Sequence, residues 1–155
     1  MYLLDTNHCT FLIEGEPKVV NHFRELGQVK LATSVIVAGE LRFMAQNSQQ
    51  KSANLIKIQA FLNRIDIHPI DNKTAEIYGD FKSEIINTFG PKEKSKRKTT
   101  QLREIGIGEN DLWIAATALR HSLIVVSSDS DFERMGQVRE RSEERRVGKE
   151  CRSRW

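Results

Sequence analysis

The sequence has few cysteines, prolines and glycines, and it lacks a long apolar run. Its two cysteines, Cys9 and Cys151, provide neither a disulfide framework nor a cysteine-based zinc site. No apolar stretch approaches the roughly 18 residues of a membrane span, and the N-terminus does not resemble a signal peptide. With 39% hydrophobic residues the chain is too apolar to be disordered. These absences predict a reduced, globular protein of the cytoplasm.

An excess of charge of one sign is also missing from most of the chain. The formal net charge of +3 lies wholly in residues 141–155, and the other 140 residues carry 18 charges of each sign. The last fifteen residues show neither helical nor strand periodicity and are similar to a translated sequencing adapter. We therefore expect a non-native tail at 141–155, a basic RNA-binding arm being the alternative. The domain is assigned to residues 1–140, and its C-terminal edge is expected to be truncated.

Short apolar segments alternate with amphipathic ones along these 140 residues. Strands are expected at residues 2–4, 29–32, 66–70 and 123–126, and helices at residues 9–13, 17–26, 35–46, 52–65, 71–89 and 110–119. Residues 90–108 form a polar link, and residues 127–132 a turn. Strands that alternate with helices predict an α/β domain whose mainly parallel sheet is covered on both faces.

Four acidic residues fall where such a sheet binds ligands, near the carboxyl ends of its strands. Asp5 ends the first strand, Asp129 follows the last one, and Asp111 lies in the first turn of the helix between them. Glu40 shares a helical stripe with Ile36 and with Phe43 and Met44, which turns its carboxylate toward the core. Each acid alone has a structural explanation: Asp5 as a helix cap, Asp111 as a first-turn acid and Asp129 as a turn residue, while Glu40 could pair with a buried Arg or Lys or reach solvent from the edge of its stripe. Together they would repel one another unless a divalent cation neutralised them, and oxygen-only ligands favour Mg²⁺ or Mn²⁺. Such a cation suits hydrolysis at phosphorus.

Four segments carry a resemblance to a known family: LLDTN at residues 3–7, GEL at 39–41, NDLWIAA at 110–116 and SSDSDF at 127–132. In this order, over about residues 1–140, they resemble the acidic motifs of PIN-domain ribonucleases, and of VapC-type toxins of type II toxin–antitoxin pairs in particular. The resemblance implies a PIN-like three-layer α/β/α sandwich and a homodimer. It also implies Mg²⁺-dependent endoribonuclease activity on structured RNA such as tRNA or rRNA, with Mn²⁺ as a substitute, and neutralisation by a cognate antitoxin protein.

The resemblance also assigns roles to residues of this chain. The catalytic and metal-binding residues are Asp5, Glu40, Asp111 and Asp129. Supporting residues are Thr6 and Ser127, whose hydroxyls match groups that orient the first aspartate, together with Asn110 and the outer acid Asp131. Met44 departs from the family, which has a small residue at that place. The alternative function is a catalytically impaired PIN domain that binds RNA or protein. A haloacid-dehalogenase-like phosphatase is disfavoured because Asn7 stands where that chemistry needs a second aspartate.

The polar link at residues 90–108 is longer than the usual connection in the family. It places six positive charges near Asp111 in sequence: Lys92, Lys94, Lys96, Arg97, Lys98 and Arg103. An RNA substrate needs such charges because phosphate contacts supply much of its affinity. The alternative is a solvated, mobile loop. His8, beside Asp5 in the sequence, is expected on the surface of the first helix.

Overall fold

The structure is a computed structural model that describes residues 1–142, with side chains through Arg139. Residues 143–155 of the predicted tail lie outside the described residues. In chain order the elements are β1 (Tyr2–Leu4), α1 (Thr6–Glu14), α2 (Pro17–Glu25), β2 (Leu31–Ser34), α3 (Val35–Gln46), α4 (Lys51–Leu62), β3 (Asp66–His68), α5 (Asn72–Phe89), α6 (Lys94–Arg97), a 3₁₀ turn (Leu102–Ile105), α7 (Glu109–His121), β4 (Ile124–Val126) and α8 (Ser130–Ser142).

The four strands form one parallel sheet in the order β3-β2-β1-β4. Leu3 of β1 is in register with Ala32 of β2 on one side and with Val125 of β4 on the other. Because β1 has a neighbour on both sides, its apolar residues are buried, and Leu3 and Leu4 are 0% exposed. The sheet confirms the predicted α/β class, and it places Asp5 directly after the carboxyl end of an inner strand.

The chain divides into two compact units. Unit 1 comprises residues 1–69 and 123–127, and it contains the whole sheet with α1 to α4. Its core includes Leu3, Val37 and Leu41, all nearly inaccessible to solvent. In this unit α3 packs against α1 and α4.

Unit 2 comprises residues 70–122 and continues from residue 128, and it contains α5 to α8. Its central helix is α5, which packs on both α7 and α8. The rings of Tyr78 in α5 and Trp113 in α7 are stacked, with centroids 3.7 Å apart and an interplanar angle of 7°. Phe81 and Ile85 of α5 are buried, as are most residues in the middle of α7.

The structure corrects three details of the sequence prediction. The polar link contains α6 and the 3₁₀ turn, because Leu102 and Ile107 are buried and fix it to unit 2. The predicted turn at residues 127–132 runs into α8, which buries Phe132, Met135 and Val138 at a spacing of three. Within α3 the buried stripe is Val37, Leu41 and Ala45, and the predicted stripe residues Phe43 and Met44 are 70% and 47% exposed. No helix within residues 1–142 is long and apolar enough to cross a lipid bilayer.

Candidate active site

Asp5 is buried at the junction of β1 and α1. Its backbone N–H donates to the carbonyl of Val126 at 3.2 Å, which continues the pairing of β1 with β4. Its side chain caps α1, because Oδ1 accepts the backbone N–H of His8 at 2.7 Å. The residue is only 4% exposed. The capping role that the sequence left open is therefore present, and it engages one of the two carboxylate oxygens.

His8 is buried beside Asp5 and does not lie on the surface of α1, where the sequence analysis expected it. The side chains of His8 and Asp5 are 2% and 6% exposed, and Nδ1 of the imidazole lies 2.9 Å from Oδ1 of Asp5. The ring also makes an edge contact with Phe11, with centroids 5.7 Å apart. The sequence contains a signal for this contact: His8 lies three residues after the capping aspartate and has a side-chain donor in addition to its backbone N–H. That spacing brings both donors of His8 to one carboxylate.

Glu40 is joined to the same region through Thr6, the first residue of α1. The hydroxyl of Thr6 donates a short hydrogen bond to Oε2 of Glu40, in the middle of α3. The sequence analysis expected this hydroxyl to orient Asp5. The structure pairs it with Glu40 instead, because the Asp5 carboxylate turns toward the backbone of the first helical turn. Glu40 is half-buried at the edge of the α3 stripe. Unit 1 thus contains two predicted ligands: Asp5, and Glu40, which is bonded to the next residue in the sequence, Thr6.

Unit 2 contains the other predicted acids, and Gly108 links two of them. The backbone N–H of Gly108 donates to Oδ2 of Asp131 at 2.9 Å. A side chain at Gly108 would overlap the carboxylate of Asp111, so Asp111 packs directly against this glycine. The backbone N–H of Asp131 in turn donates to Oδ1 of Asp129 at 2.9 Å. The sequence analysis did not single out Gly108, because its contribution is a backbone donor and an empty space.

The two remaining supporting residues lie at the ends of elements. Ser127 is buried and follows β4 in unit 1, with an exposure of 6%. Asn110 is exposed in the first turn of α7, next to Asp111. Considered separately, neither unit offers a group of three His, Cys, Asp or Glu side chains among its described residues that could hold a metal ion.

Two neighbours of these acids have shifted pKa values. Burial raises the pKa of the Cys9 thiol to about 12, and the Asp5 carboxylate adds to the shift while a hydrogen bond with Thr33 opposes it. Desolvation also raises the pKa of Glu109, which precedes the site residues of α7 and whose Oε1 lies 2.6 Å from Nζ of Lys82. A thiol that keeps its proton is an inert packing group here, not a ligand or a nucleophile.

The six predicted RNA-binding cations lie on a segment that is attached to unit 2 at both ends; we call residues 92–103 the basic segment. Arg97 attaches the first end, since its guanidinium donates to the carbonyls of Pro91 and Lys92 and to Oδ1 of Asn87. Beyond the second end, Arg134 donates to the carbonyls of Ile105 and Gly106 at 2.7 and 2.8 Å. Gly106 lies only two residues before Gly108, so this attachment leads directly to the acids of unit 2.

The cations of the basic segment differ in what they contact. Arg97 is committed to the hydrogen bonds that fix the segment, and Lys96 pairs with Glu93 at 3.0 Å on the exposed surface. The remaining four are exposed: Lys92, Lys94, Lys98 and Arg103. The structure therefore separates one cation with a structural role from a group that solvent, or an anionic ligand, can reach.

Comparison with known proteins identifies relatives along nearly the whole described chain. The sequence matches the PIN domain family over residues 2–138. It is 31% identical over 139 residues to the tRNA(fMet)-specific endonuclease VapC of Shigella flexneri, with 89% of this chain and 94% of the relative covered. It is 32% identical over 140 residues to the ribonuclease VapC2 of Haemophilus influenzae, with the same coverage of 89% and 94%.

Solved structures give the same result at the level of the fold. DNA-bound VapBC from Salmonella typhimurium superposes with a TM-score of 0.70 at 26% identity, over 86% of this chain and 91% of that chain. VapBC2 from Rickettsia felis, bound to a DNA fragment from the promoter, gives a TM-score of 0.68 at 29% identity, over 86% and 92%. These similarities confirm the fold class predicted from the sequence, a PIN-like three-layer α/β/α sandwich.

Proposed function

The chain belongs to the PIN domain family and is a VapC-type ribonuclease, and from this premise we propose that it is a Mg²⁺-dependent endoribonuclease toxin. Its proposed substrates are phosphodiester bonds in RNA of the tRNA or rRNA class, and a cognate antitoxin protein neutralises it. The observation that carries the proposal is that each unit holds two acids next to one backbone turn. In unit 1 the first turn of α1 bonds the side chains of Asp5 and Glu40, and in unit 2 Gly108 contacts the side chains of Asp111 and Asp131.

The proposal assigns Asp5, Glu40, Asp111 and Asp129 to one metal site. The donor chemistry fits a hard divalent cation, because all four side chains offer carboxylate oxygens. Both hydrogen bonds that the structure gives to the Asp5 side chain end on Oδ1, so Oδ2 is the oxygen assigned to the cation. When bound, Mg²⁺ lowers the pKa of water and offsets the negative charge that builds up at the phosphate; Mn²⁺ is a chemical substitute.

The residues around the acids fix the orientation of the ligands. Thr6 holds the carboxylate of Glu40, and the backbone of Gly108 holds Asp131, which in turn donates its N–H to Asp129. We assign Ser127 and Asn110 the same supporting role, from their positions next to β4 and Asp111. A ligand oxygen that is already hydrogen-bonded needs little reorganisation when the substrate arrives, which is the main contribution that a protein makes to charge stabilisation.

The basic segment is the proposed binding site for the RNA backbone. Its exposed cations Lys92, Lys94, Lys98 and Arg103 lie on a segment whose attachments lead, through Gly106, to the acids of α7. Phosphate contacts give affinity that does not depend on the RNA sequence. Selection of the cleavage site would therefore come from other contacts. Lys96 is assigned to the same surface, whereas Arg97 acts by fixing the segment.

The antitoxin is assigned to a groove in unit 1. The groove runs between α1, α3 and α4, and apolar side chains line much of it, including Ile13, Leu41, Met44 and Ile58. An amphipathic helix of a partner binds such a groove through residues at helical spacing. Met44 is 47% exposed on this face. The proposal further includes a homodimer, since association would cover Phe43 and Ile56, each 70% exposed. It also places the activity in the cytoplasm, with the RNA.

The test uses the full chain with total tRNA and rRNA, in Mg²⁺ and in EDTA, beside Asp5→Asn. Asparagine caps a helix as well as aspartate does, so this variant keeps the start of α1 and loses the charge of the ligand. We expect Mg²⁺-dependent cleavage that leaves 5′-phosphate ends. The cleavage rate should fall by roughly 100-fold or more in Asp5→Asn. Glu40→Gln, Asp111→Asn and Asp129→Asn should behave alike, and Asp80→Asn on the exposed face of α5 is the matched control.

Two results would contradict the proposal. Cleavage that persists in EDTA and in Asp5→Asn would come from another nuclease, not from these acids. RNA binding without turnover at any Mg²⁺ or Mn²⁺ concentration would favour the alternative, a PIN domain that only binds RNA or protein.

A further inference from the structure

The imidazole of His8 is buried and contacts a proposed ligand, the carboxylate of Asp5. Oδ1 of Asp5 accepts two hydrogen bonds from the same residue, from the backbone N–H of His8 at 2.7 Å and from Nδ1 at 2.9 Å. A carboxylate offers only acceptors, so Nδ1 carries the hydrogen in this pair. Capping of α1 needs the first bond alone. The second bond is additional, and it depends on the side chain at position 8.

We propose that His8 is a positioning residue of the metal site, which fixes the Asp5 carboxylate so that Oδ2 is presented to the divalent cation. This inference rests on the proposed function, because it assigns His8 a role toward the cation that Asp5 would bind. His8 itself is not assigned as a ligand. Its ring donates to Oδ1 of Asp5, whereas Oδ2 would be left to hold the cation.

The physical argument begins with the freedom of an aspartate side chain. With the backbone bond alone, the carboxylate can rotate about its last torsion, since terminal torsions of this kind have broad energy wells. A second donor that approaches the same oxygen from the ring plane of His8 removes that freedom. Ligating carboxylates in proteins are commonly held by such outer hydrogen bonds, and loss of one weakens metal binding by roughly 10–100-fold.

The burial of His8 supports the same conclusion. A buried imidazole costs free energy unless it is hydrogen-bonded, and an apolar side chain of similar volume would avoid that cost. The ring also packs edge-on against Phe11, at a centroid distance of 5.7 Å and an angle of 80°. The hydrogen bond from Nδ1 to Asp5 offsets part of the cost of burying the ring, and it keeps a donor at the carboxylate.

Three substitutions at one position separate positioning from packing. In His8→Asn the amide nitrogen takes about the place of Nδ1 and can restore the bond to Asp5. In His8→Gln the amide lies about where Nε2 was, so polarity remains and the bond is lost. His8→Leu removes the bond and keeps the volume. All three keep the backbone N–H that caps α1, and Phe11→Leu is the control for packing around the ring.

The measurement is Mn²⁺ affinity of the full chain, from the electron paramagnetic resonance signal of the free ion, with the Mg²⁺ concentration for half-maximal RNA cleavage as the second readout. We expect His8→Gln and His8→Leu to bind Mn²⁺ at least about 10-fold more weakly than wild type. His8→Asn should stay within about 3-fold, and Phe11→Leu should lose stability without losing affinity. Circular dichroism checks the fold, and if His8→Leu is unfolded the comparison of the Asn and Gln variants decides.

Each contrary result has one meaning. Wild-type Mn²⁺ affinity in His8→Gln, or equal losses in the Asn and Gln variants, would overturn the role of His8 while leaving the metal site in place. Equal losses in Phe11→Leu would reduce His8 to a packing residue. A wild-type chain that binds no Mn²⁺, with Asp5→Asn no different, would overturn the proposed function itself.

Discussion

The backbone N–H of Gly108 donates to Oδ2 of Asp131 at 2.9 Å and so connects the start of α7 to the start of α8. The carboxylate of Asp111 packs against the same glycine, in the space that a side chain would occupy. A residue with neither charge nor side chain thus determines where two acidic side chains lie. The effect of a substitution at Gly108 on the site should therefore be separable from its effect on the stability of the protein.

Gly108→Ala should impair cleavage far more than folding. The new methyl group would overlap the end of the Asp111 side chain, and alanine is a poorer N-cap for α7 than glycine, so we expect a loss of stability of roughly 1 kcal/mol. The displaced carboxylate would leave its position in the proposed site, and we expect Mg²⁺-dependent cleavage to fall at least about 10-fold. The measurements are urea unfolding and single-turnover cleavage.

Gly79→Ala in α5 is the matched control for that substitution. Nothing lies within 4 Å of the added methyl group, and alanine favours a helix interior over glycine by about 0.8–1.0 kcal/mol. This variant should be slightly more stable than wild type and equally active. If Gly108→Ala cleaved RNA like Gly79→Ala, Asp111 would not need the position that Gly108 leaves open.

Asp71 should make the stability of unit 2 depend on pH under acid conditions. Its Oδ1 accepts the backbone N–H and the hydroxyl of Thr74, and Arg120 lies 3.2 Å from Oδ2. The hydrogen bonds from Thr74, with that from Arg120, hold the pKa of Asp71 well below its usual value. Because the folded pKa is lowered, the stabilisation is complete above the unfolded pKa of about 4 and is lost as the pH falls through the folded value.

Thermal unfolding of Asp71→Ala beside wild type tests this linkage. The midpoint temperature of the variant should be lower at pH 7, and the gap should narrow once the pH falls below about 4. Asp71→Asn keeps an acceptor for the cap and loses the charge that attracts Arg120, so it should lie between the two. A gap that stayed constant down to pH 2 would show that the carboxylate does not contribute through its charge.

Much of the fold could be predicted because its signals are local. The helix predicted at residues 35–46 is α3 to the residue, since Ser34 caps it and its apolar spacing is regular. Short segments between helices also predicted the four strands, although the second, expected at residues 29–32, is observed at Leu31–Ser34, and the third ends at His68 and not at residue 70. By contrast, α8 was missed because only three apolar side chains, at a spacing of three, interrupt its charged residues.

The candidate site was predictable in its residue types and less so in its contacts. Strand ends and motif order identified Asp5, Glu40, Asp111 and Asp129, although whether these four act together stays a prediction. The partners of these acids depend on tertiary geometry that the sequence does not contain. The hydroxyl of Thr6 bonds Glu40, since the Asp5 carboxylate turns back to cap α1. The ring of His8 is buried because its Nδ1 bonds the same capping carboxylate.

The thiol of Cys9 should be unreactive in the folded protein. It is 0% exposed, and burial raises its pKa to about 12. Because only the thiolate reacts, its rate with Ellman's reagent at pH 8 should be roughly 1,000-fold below that of an ordinary thiol. The Cys151→Ser background leaves Cys9 as the only thiol. Reaction should become fast in guanidinium chloride, and a fast reaction without denaturant would show that α1 opens readily.

The exposed cations of the basic segment should set the salt dependence of RNA binding. A protein that contacts several phosphates loses affinity as salt rises, with a slope of about 0.7–0.9 per contact on a double logarithmic plot. The triple variant Lys92→Ala, Lys94→Ala, Lys98→Ala should therefore lower that slope by about 2. The measurement is tRNA binding in the Asp5→Asn background, which prevents cleavage. The matched control removes three exposed charges from unit 1, in Lys18→Ala, Arg24→Ala, Lys30→Ala.

Arg97→Ala distinguishes attachment of the basic segment from contact with RNA. This guanidinium is committed to Pro91, Lys92 and Asn87, so its removal should release the first end of the segment and leave its exposed cations in place. We expect weaker RNA binding with a nearly unchanged salt slope, because the phosphate contacts stay the same in number while ordering them costs more entropy. A slope lowered by about 1 would instead make Arg97 a phosphate ligand. If the unit 1 control lowered the salt slope as much as the Lys92, Lys94, Lys98 variant does, the net charge of the protein, and not the basic segment, would govern RNA binding.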